Sequence, residues 1–199
     1  MLEYITDIGC VIMTYDEILN YVEDSKLILE NNFFYHSFIY EQKYFQDMIT
    51  KGIKSPILLN KKANSYNGYF YISLSKNEEC NNSIYRLTFN YPRFIINPNL
   101  KVIKTSNFKF KNYPYTTKQC KYDDEYLKFL FIDSNDILGI QYNLSSIFAD
   151  SNDNYKKEQL IILKNIVNDL IKLNINISII DSYNDTQINK NKVLEILDN

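Results

Sequence analysis

The sequence predicts an α+β fold. Strand-like runs follow one another with only a few helices between them, instead of the strict alternation that marks a parallel α/β sheet. The chain carries 18 Tyr and 12 Phe, residue types that favour pleated, half-buried surfaces. No internal repeat or linker interrupts it, so its 199 residues read as a single domain, long enough to bury a real core.

Taken in order, Thr14-Tyr15-Asp16-Glu17 has the form of a capping box, with Ile18, Leu19, Tyr21, Val22, Ile28 and Leu29 at helical spacing behind it. A helix is expected there, ending near Asn31-Asn32. Phe33 to Ile39 is aromatic and β-branched and reads as a strand. A helix from about Glu41 to Lys51 places Phe45, Met48 and Ile49 on one face and Gly52 at its C′ position. Residues 57 to 67 are polar and irregular, and Asn67-Gly68 signals a turn. In the strand Tyr69 to Ser75, alternation puts Tyr69, Tyr71, Ser73 and Ser75 on one face and Phe70, Ile72 and Leu74 on the other. Ile84 to Asn90, Phe94 to Ile96 and Lys101 to Ile103 read as further strands, and residues 105 to 121 as an irregular loop. Tyr126 to Ile132 and Ile137 to Tyr142 are strands on either side of the turn Asp133 to Asp136. Lys156 to Leu173 is the clearest helix, with Leu160, Leu163, Ile166, Val167, Leu170 and Ile171 as its apolar face. Ile175 to Ile180 then suits a strand, and Val193 to Leu197 a short helix.

Composition narrows the function classes. The formal net charge of −2 provides no positive field to recruit nucleic acid. Arg86 and Arg93 are the only arginines, and both read as surface or ion-pair residues rather than phosphate clamps. Cys10, Cys80 and Cys120 are odd in number and widely spaced, so neither a disulfide framework nor, with one histidine, a zinc site is expected. No metal is expected. Without a basic signal-peptide region or a run of about 20 apolar residues, the expected setting is the cytoplasm, or delivery by a leaderless secretion route.

His36 is the one histidine, set between Tyr35 and Ser37. A neutral imidazole there can donate to, or accept from, a ribose hydroxyl. Tyr71 offers a ring for stacking, and Ser73 and Ser75 offer hydroxyls on the same strand face. Glu125 stands where a loop enters a strand. A fixed carboxylate stabilises the oxocarbenium-like transition state of N-glycosidic cleavage, so these pieces suit attack on the nicotinamide ribose of NAD.

Three segments together resemble the ADP-ribosyltransferase superfamily. Phe34-Tyr35-His36-Ser37, with the helix ending Met48-Ile49-Thr50-Lys51-Gly52-Ile53, is similar to the family's first strand and helix exit. Asn67 to Ser75 resembles its second strand, where an aromatic residue precedes an S-x-S motif. Asp124-Glu125-Tyr126-Leu127, followed by Ile137 to Ile140, resembles its catalytic-glutamate strand and the strand after it. The resemblance implies a split β-sheet core over residues 33–142 with flanking helices, a helical extension over 1–32 and a helix-strand-helix extension over 143–199. It implies NAD as co-substrate, with His36 on the ribose, Tyr71 lining the nicotinamide pocket, Ser73 supporting Glu125, and Ser75 also among the cofactor-binding residues. Glu125 would be the catalytic carboxylate, and Asp123, two residues before it, would help bind the acceptor. The His-first strand is similar to the poly-ADP-ribose and diphtheria-type branch, and the S-x-S strand to the branch whose first position is usually Arg. The branch therefore stays open, and the acceptor with it.

The expected function is NAD-dependent transfer of ADP-ribose to a macromolecule, protein in preference to nucleic acid, or NAD hydrolysis. A bacterial toxin or effector would fit, and a toxin would call for a neutralising protein partner. The alternative is a catalytically silent module of the same fold that binds a protein partner.

Overall fold

Aromatic and β-branched runs pair edge to edge, and amphipathic runs cover the sheet they make. The computed structural model describes residues 19–20, 33–62, 69–76, 92–104, 126–182 and 186–195. Among these the strands are β1 (Leu19–Asn20), β2 (Phe34–Ser37), β3 (Ile53–Lys54), β4 (Tyr71–Lys76), β5 (Arg93–Ile96) and β6 (Ile103–Lys104). They continue with β7 (Tyr126–Phe129), β8 (Phe131–Ile132), β9 (Ile137–Tyr142), β10 (Ser178–Asp181) and β11 (Gln187–Ile188). The α-helices are α1 (Gln42–Lys51), α2 (Leu144–Ala149), α3 (Asp153–Lys172) and α4 (Lys190–Glu195).

The main sheet runs β1-β11-β10-β9-β5-β2-β4-β7-β6, and β3 pairs with β8 in a second, two-stranded sheet. Every pairing is antiparallel except β9 with β10. A parallel pair needs a long crossover, which α2 and α3 supply. The fold class is α+β, with a large, mostly antiparallel sheet.

One face of the sheet carries the main core. Phe34, Ile72, Leu74, Phe94, Ile96 and Ile140 form a buried cluster with Phe45 and Met48 of α1 and with Leu160, Leu163, Ile166, Val167 and Leu170 of α3. The rings of Phe38 and Phe94 stack at 4.2 Å, and Phe45 lies 5.6 Å and 5.9 Å from them. Each such pair contributes roughly 0.5–1.5 kcal/mol beyond its buried area.

Helix α1 is held at both ends of its inner face. At its end Gly52 has φ 82°, and its N–H donates to the Met48 carbonyl at 2.9 Å. A Cβ at this position would lie 2.3 Å from the Ile132 carbonyl oxygen and 2.6 Å from the Phe131 ring. The glycine thus serves both the positive φ at the helix end and the close approach of β8. Nearer the start of α1, the buried Asp169 of α3 accepts from Tyr40 Oη at 2.8 Å, Gln42 Nε2 at 3.1 Å and Gln46 Nε2 at 2.7 Å. A buried carboxylate is tolerated because three donors satisfy it. Burial, then the hydrogen bond to Asp169 and its charge, push the Tyr40 hydroxyl well above its usual range, so it remains a donor.

Several sequence expectations change. Leu19–Asn20 is a strand paired with β11, not part of a helix, so this part of the N-terminal segment belongs to the sheet. The rest of the expected 14–30 helix, the 84–90 strand and the 105–121 loop lie outside the described residues. The expected strand 126–132 is two strands, broken at Leu130, which has φ 58°. Leu130 N–H donates to the Phe70 carbonyl at 2.9 Å, and its carbonyl accepts from Ser55 N–H at 2.8 Å. Those two bonds hold the turn that passes the chain from the main sheet to β3. Helix α3 starts three residues early because Asn152 caps it, accepting from Tyr155 N–H at 3.2 Å. Ile171, expected on its apolar face, is 54% exposed. In the segment after residue 142, β10 and β11 extend the main sheet. Among the described residues, no helix is long and apolar enough to cross a membrane.

Gly52→Ala should cost about 3 kcal/mol, from backbone strain together with the clash against β8. Asp169→Ala should cost about 3 kcal/mol, because it strips the acceptor from three donors. Urea unfolding followed by circular dichroism checks both. A midpoint within error of the parent would contradict the assigned role.

Candidate functional site

The middle of the sheet divides at His36. Strand β2 pairs with β4 only through Phe34 with Lys76 and Tyr35 with Ser75. On its other side β2 stays paired with β5 as far as Ser37 with Arg93. Strand β4 turns to β7 instead, through Tyr71 with Phe129, Ile72 with Lys128, Ser73 with Leu127 and Leu74 with Tyr126. From His36 onward β2 and β4 therefore no longer share a ladder.

The imidazole of His36 bridges the gap. Its Nδ1 lies 2.9 Å from the Ser73 carbonyl oxygen. A carbonyl can only accept, so Nδ1 carries the proton and donates. In the neutral ring Nε2 is then left as an acceptor. His36 is half-buried, and desolvation lowers its pKa below 6.5, an effect the hydrogen bond to Ser73 opposes. The ring is accordingly neutral at pH 7, with one tautomer selected.

Strand register separates the site residues by face. Tyr35 stands opposite Ser75 and Ile95, so Tyr35, Ser37, Tyr71, Ser73 and Ser75 share a face with Arg93 and Gln141. His36 alternates with them and starts from the face of Phe34 and Phe94. The sequence offered the imidazole and the serines as one set. The structure puts them on opposite faces, and the imidazole meets the backbone carbonyl of Ser73, not a serine hydroxyl. Ser73 is exposed, Ser75 and Tyr71 are half-buried, and Tyr71 meets Phe129 edge-on at 5.3 Å. Ile72 and Leu74 are buried, as alternation requires.

Asp123 and Glu125 lie outside the described residues. The first residue of β7, Tyr126, pairs with Leu74, one position from Ser73 and one from Ser75. Arg93, expected as a surface or ion-pair residue, is 2% exposed. Its Nη2 donates to Gln141 Oε1, and its guanidinium carbon lies 4.8 Å from the centre of the Tyr35 ring. Sequence reading did not place Arg93 or Ser37 among the site residues. Their signal was position, since Ser37 follows Tyr35 by two and so joins the serine face.

The end of the β2–β4 ladder thus has the imidazole on one face of the sheet and Tyr71, Ser73 and Ser75 on the other. Among the described residues, no three His, Cys, Asp or Glu side chains cluster in a way that could hold a metal ion. A separate surface depression of about 130 Å³ is lined by Tyr44, Met48, Lys51, Lys54 and Leu59, among others, and shares no residue with the gap. Comparison with protein-family models, curated proteins and solved structures gives no match.

A histidine whose pKa is lowered on folding binds fewer protons folded than unfolded between that pKa and 6.5. Its contribution to stability is complete above pH 6.5 and is lost as pH falls through that window. His36→Asn keeps a donor near the Nδ1 position and does not titrate, so its stability should fall less between pH 7 and pH 5 than the parent's. Parallel pH-dependent unfolding curves for the two would contradict a depressed His36.

Proposed function

We propose that the chain is an NAD-dependent ADP-ribosyltransferase acting on a macromolecular acceptor. One observation carries this reading. The three segments that resemble the family contain β2, β4 and β7, which are far apart in sequence and lie side by side in the sheet. The break between β2 and β4, bridged by His36, leaves polar and aromatic side chains where a dinucleotide could enter.

In this reading Nε2 of His36 accepts a hydrogen bond from a ribose hydroxyl, and Tyr71 packs against the nicotinamide ring. Ser73 and Ser75 line the same wall. The glycosidic bond breaks with its electron pair leaving on the nicotinamide nitrogen, and Glu125 stabilises the positive charge that develops on the ribose. A nucleophile of the acceptor, or water, then bonds to the ribose carbon and gives up its proton. Asp123 would contact the acceptor.

Nicotinamide release from NAD tests the proposal, measured with and without cell lysate. Glu125→Gln should lower release by roughly 100-fold or more while NAD still binds by calorimetry. His36→Asn should weaken NAD binding, because it lacks an acceptor at the Nε2 position. No release and no NAD binding by the parent protein would sink the enzyme reading in favour of a protein-binding module.

A further inference from the structure

We infer that Arg93 is a positioning residue for His36: its guanidinium fastens β2, β5 and β9 together so that the imidazole meets the Ser73 carbonyl. Only the consequence for ligand binding rests on the proposed NAD site. Two register pairs hold β2 to β4, and both precede His36. Where the imidazole sits is therefore set from the other side, by four pairs with β5 that end at Ser37 with Arg93.

Arg93 acts at that last pair. Its guanidinium covers the ring of Tyr35, the residue before His36, at 4.8 Å. The same group donates to Gln141, which stands opposite Arg93 on β9. One planar side chain thus contacts a residue on each flanking strand, on the face opposite His36. Tyr35 is 3% exposed and Gln141 2%, so neither has room to shift.

The arrangement is not the cheapest way to fill the space. Tyr35, Ile95 and Ile180 form an apolar cluster on this same face, so an apolar side chain would suit it. Burying a guanidinium is costly, and a well-packed apolar replacement often equals or exceeds it in stability. Gln141 adds to the cost, since among the described residues its buried Nε2 has no hydrogen-bond partner. What the guanidinium supplies is direction: a rigid plane that stacks on an aromatic ring and donates at a fixed angle. A methylene chain cannot hold β2 in one orientation in this way.

The test uses the full chain, whose single histidine makes the imidazole signals unambiguous. The ring nitrogens of His36 are observed by nitrogen-15 NMR at pH 7 in the parent, in Arg93→Met/Gln141→Leu and in Arg93→Lys, and each variant is checked for folding by thermal melting. The parent should show one neutral tautomer, protonated at Nδ1. The double variant should remain folded and show a mixture of tautomers, and its NAD dissociation constant should rise roughly 10-fold or more. Arg93→Lys keeps the charge without the plane and should also lose the single tautomer. A folded variant of either kind that keeps one Nδ1-protonated tautomer overturns the inference. So does failure of both to fold, which would make Arg93 a stability residue only. If the parent binds no NAD, the NAD reading fails and the tautomer readout still decides the role of Arg93.

Discussion

The carbonyl of Ser73 is the constraint on which the rest turns. A backbone acceptor in mid-sheet needs a donor, and in an unbroken ladder the neighbouring strand supplies one. Here β2 has left β4 before reaching it, and the imidazole of His36 supplies the donor instead. The side chain thus does the work of a backbone N–H and leaves the sheet open beside it. An apolar residue at this position would leave the break without its bridge. A longer ladder would close it.

An open break in the middle of a sheet is stable only if the strands on either side are fixed by other means. Strand β2 is held by Phe34 and by Phe38, whose ring stacks on Phe94 of β5 and Phe45 of α1. Helix α1 is fixed in turn by Asp169 of α3 and by the close approach of Gly52 to β8. Strand β4 is held by four register pairs to β7, and β7 is turned away at Leu130 into the small sheet. The two sides still share the main core, where Phe34 of β2 packs with Ile72 and Leu74 of β4 and meets Tyr126 of β7 edge-on at 5.3 Å. Past the two β2–β4 register pairs, that packing and the His36 bridge keep the strands together.

Much of the fold was legible in the sequence because local rules and tertiary packing agree. Alternation placed Ile72 and Leu74 in the core, and helical spacing did the same for Phe45, Met48 and Ile49. Gly52 sits at the helix end its residue type suggested. The misreadings arise where long-range pairing overrules local pattern. Leu19–Asn20 sits in a helical-looking run but pairs with β11, some 170 positions along the chain. The break at Leu130 depends on Phe70 and Ser55, which nothing local to 126–132 announces. For the site, His36, Tyr71, Ser73 and Ser75 were visible as residue types. Their main link was not, because it runs to a backbone carbonyl, and every residue has one. The burial of Arg93 was hidden for a similar reason: its partners, Tyr35 and Gln141, stand 58 and 48 positions away from it.

The state of the imidazole bears on what the proposed site would recognise. Desolvation keeps His36 neutral, so it brings no positive charge to a phosphate. The chain has two arginines, and the one among the described residues is turned to Tyr35 and Gln141 inside the sheet. The imidazole itself therefore offers a phosphate no charge. A hydroxyl suits it, since it can donate to Nε2 while Nδ1 stays committed to Ser73. The bridge that replaces the ladder and the remaining acceptor are the two nitrogens of one ring. A ring that lets go of Ser73 also loses the tautomer that a hydroxyl donor would require. Under the proposed function, sheet geometry and ligand preference at His36 are thus one property, set by a single proton.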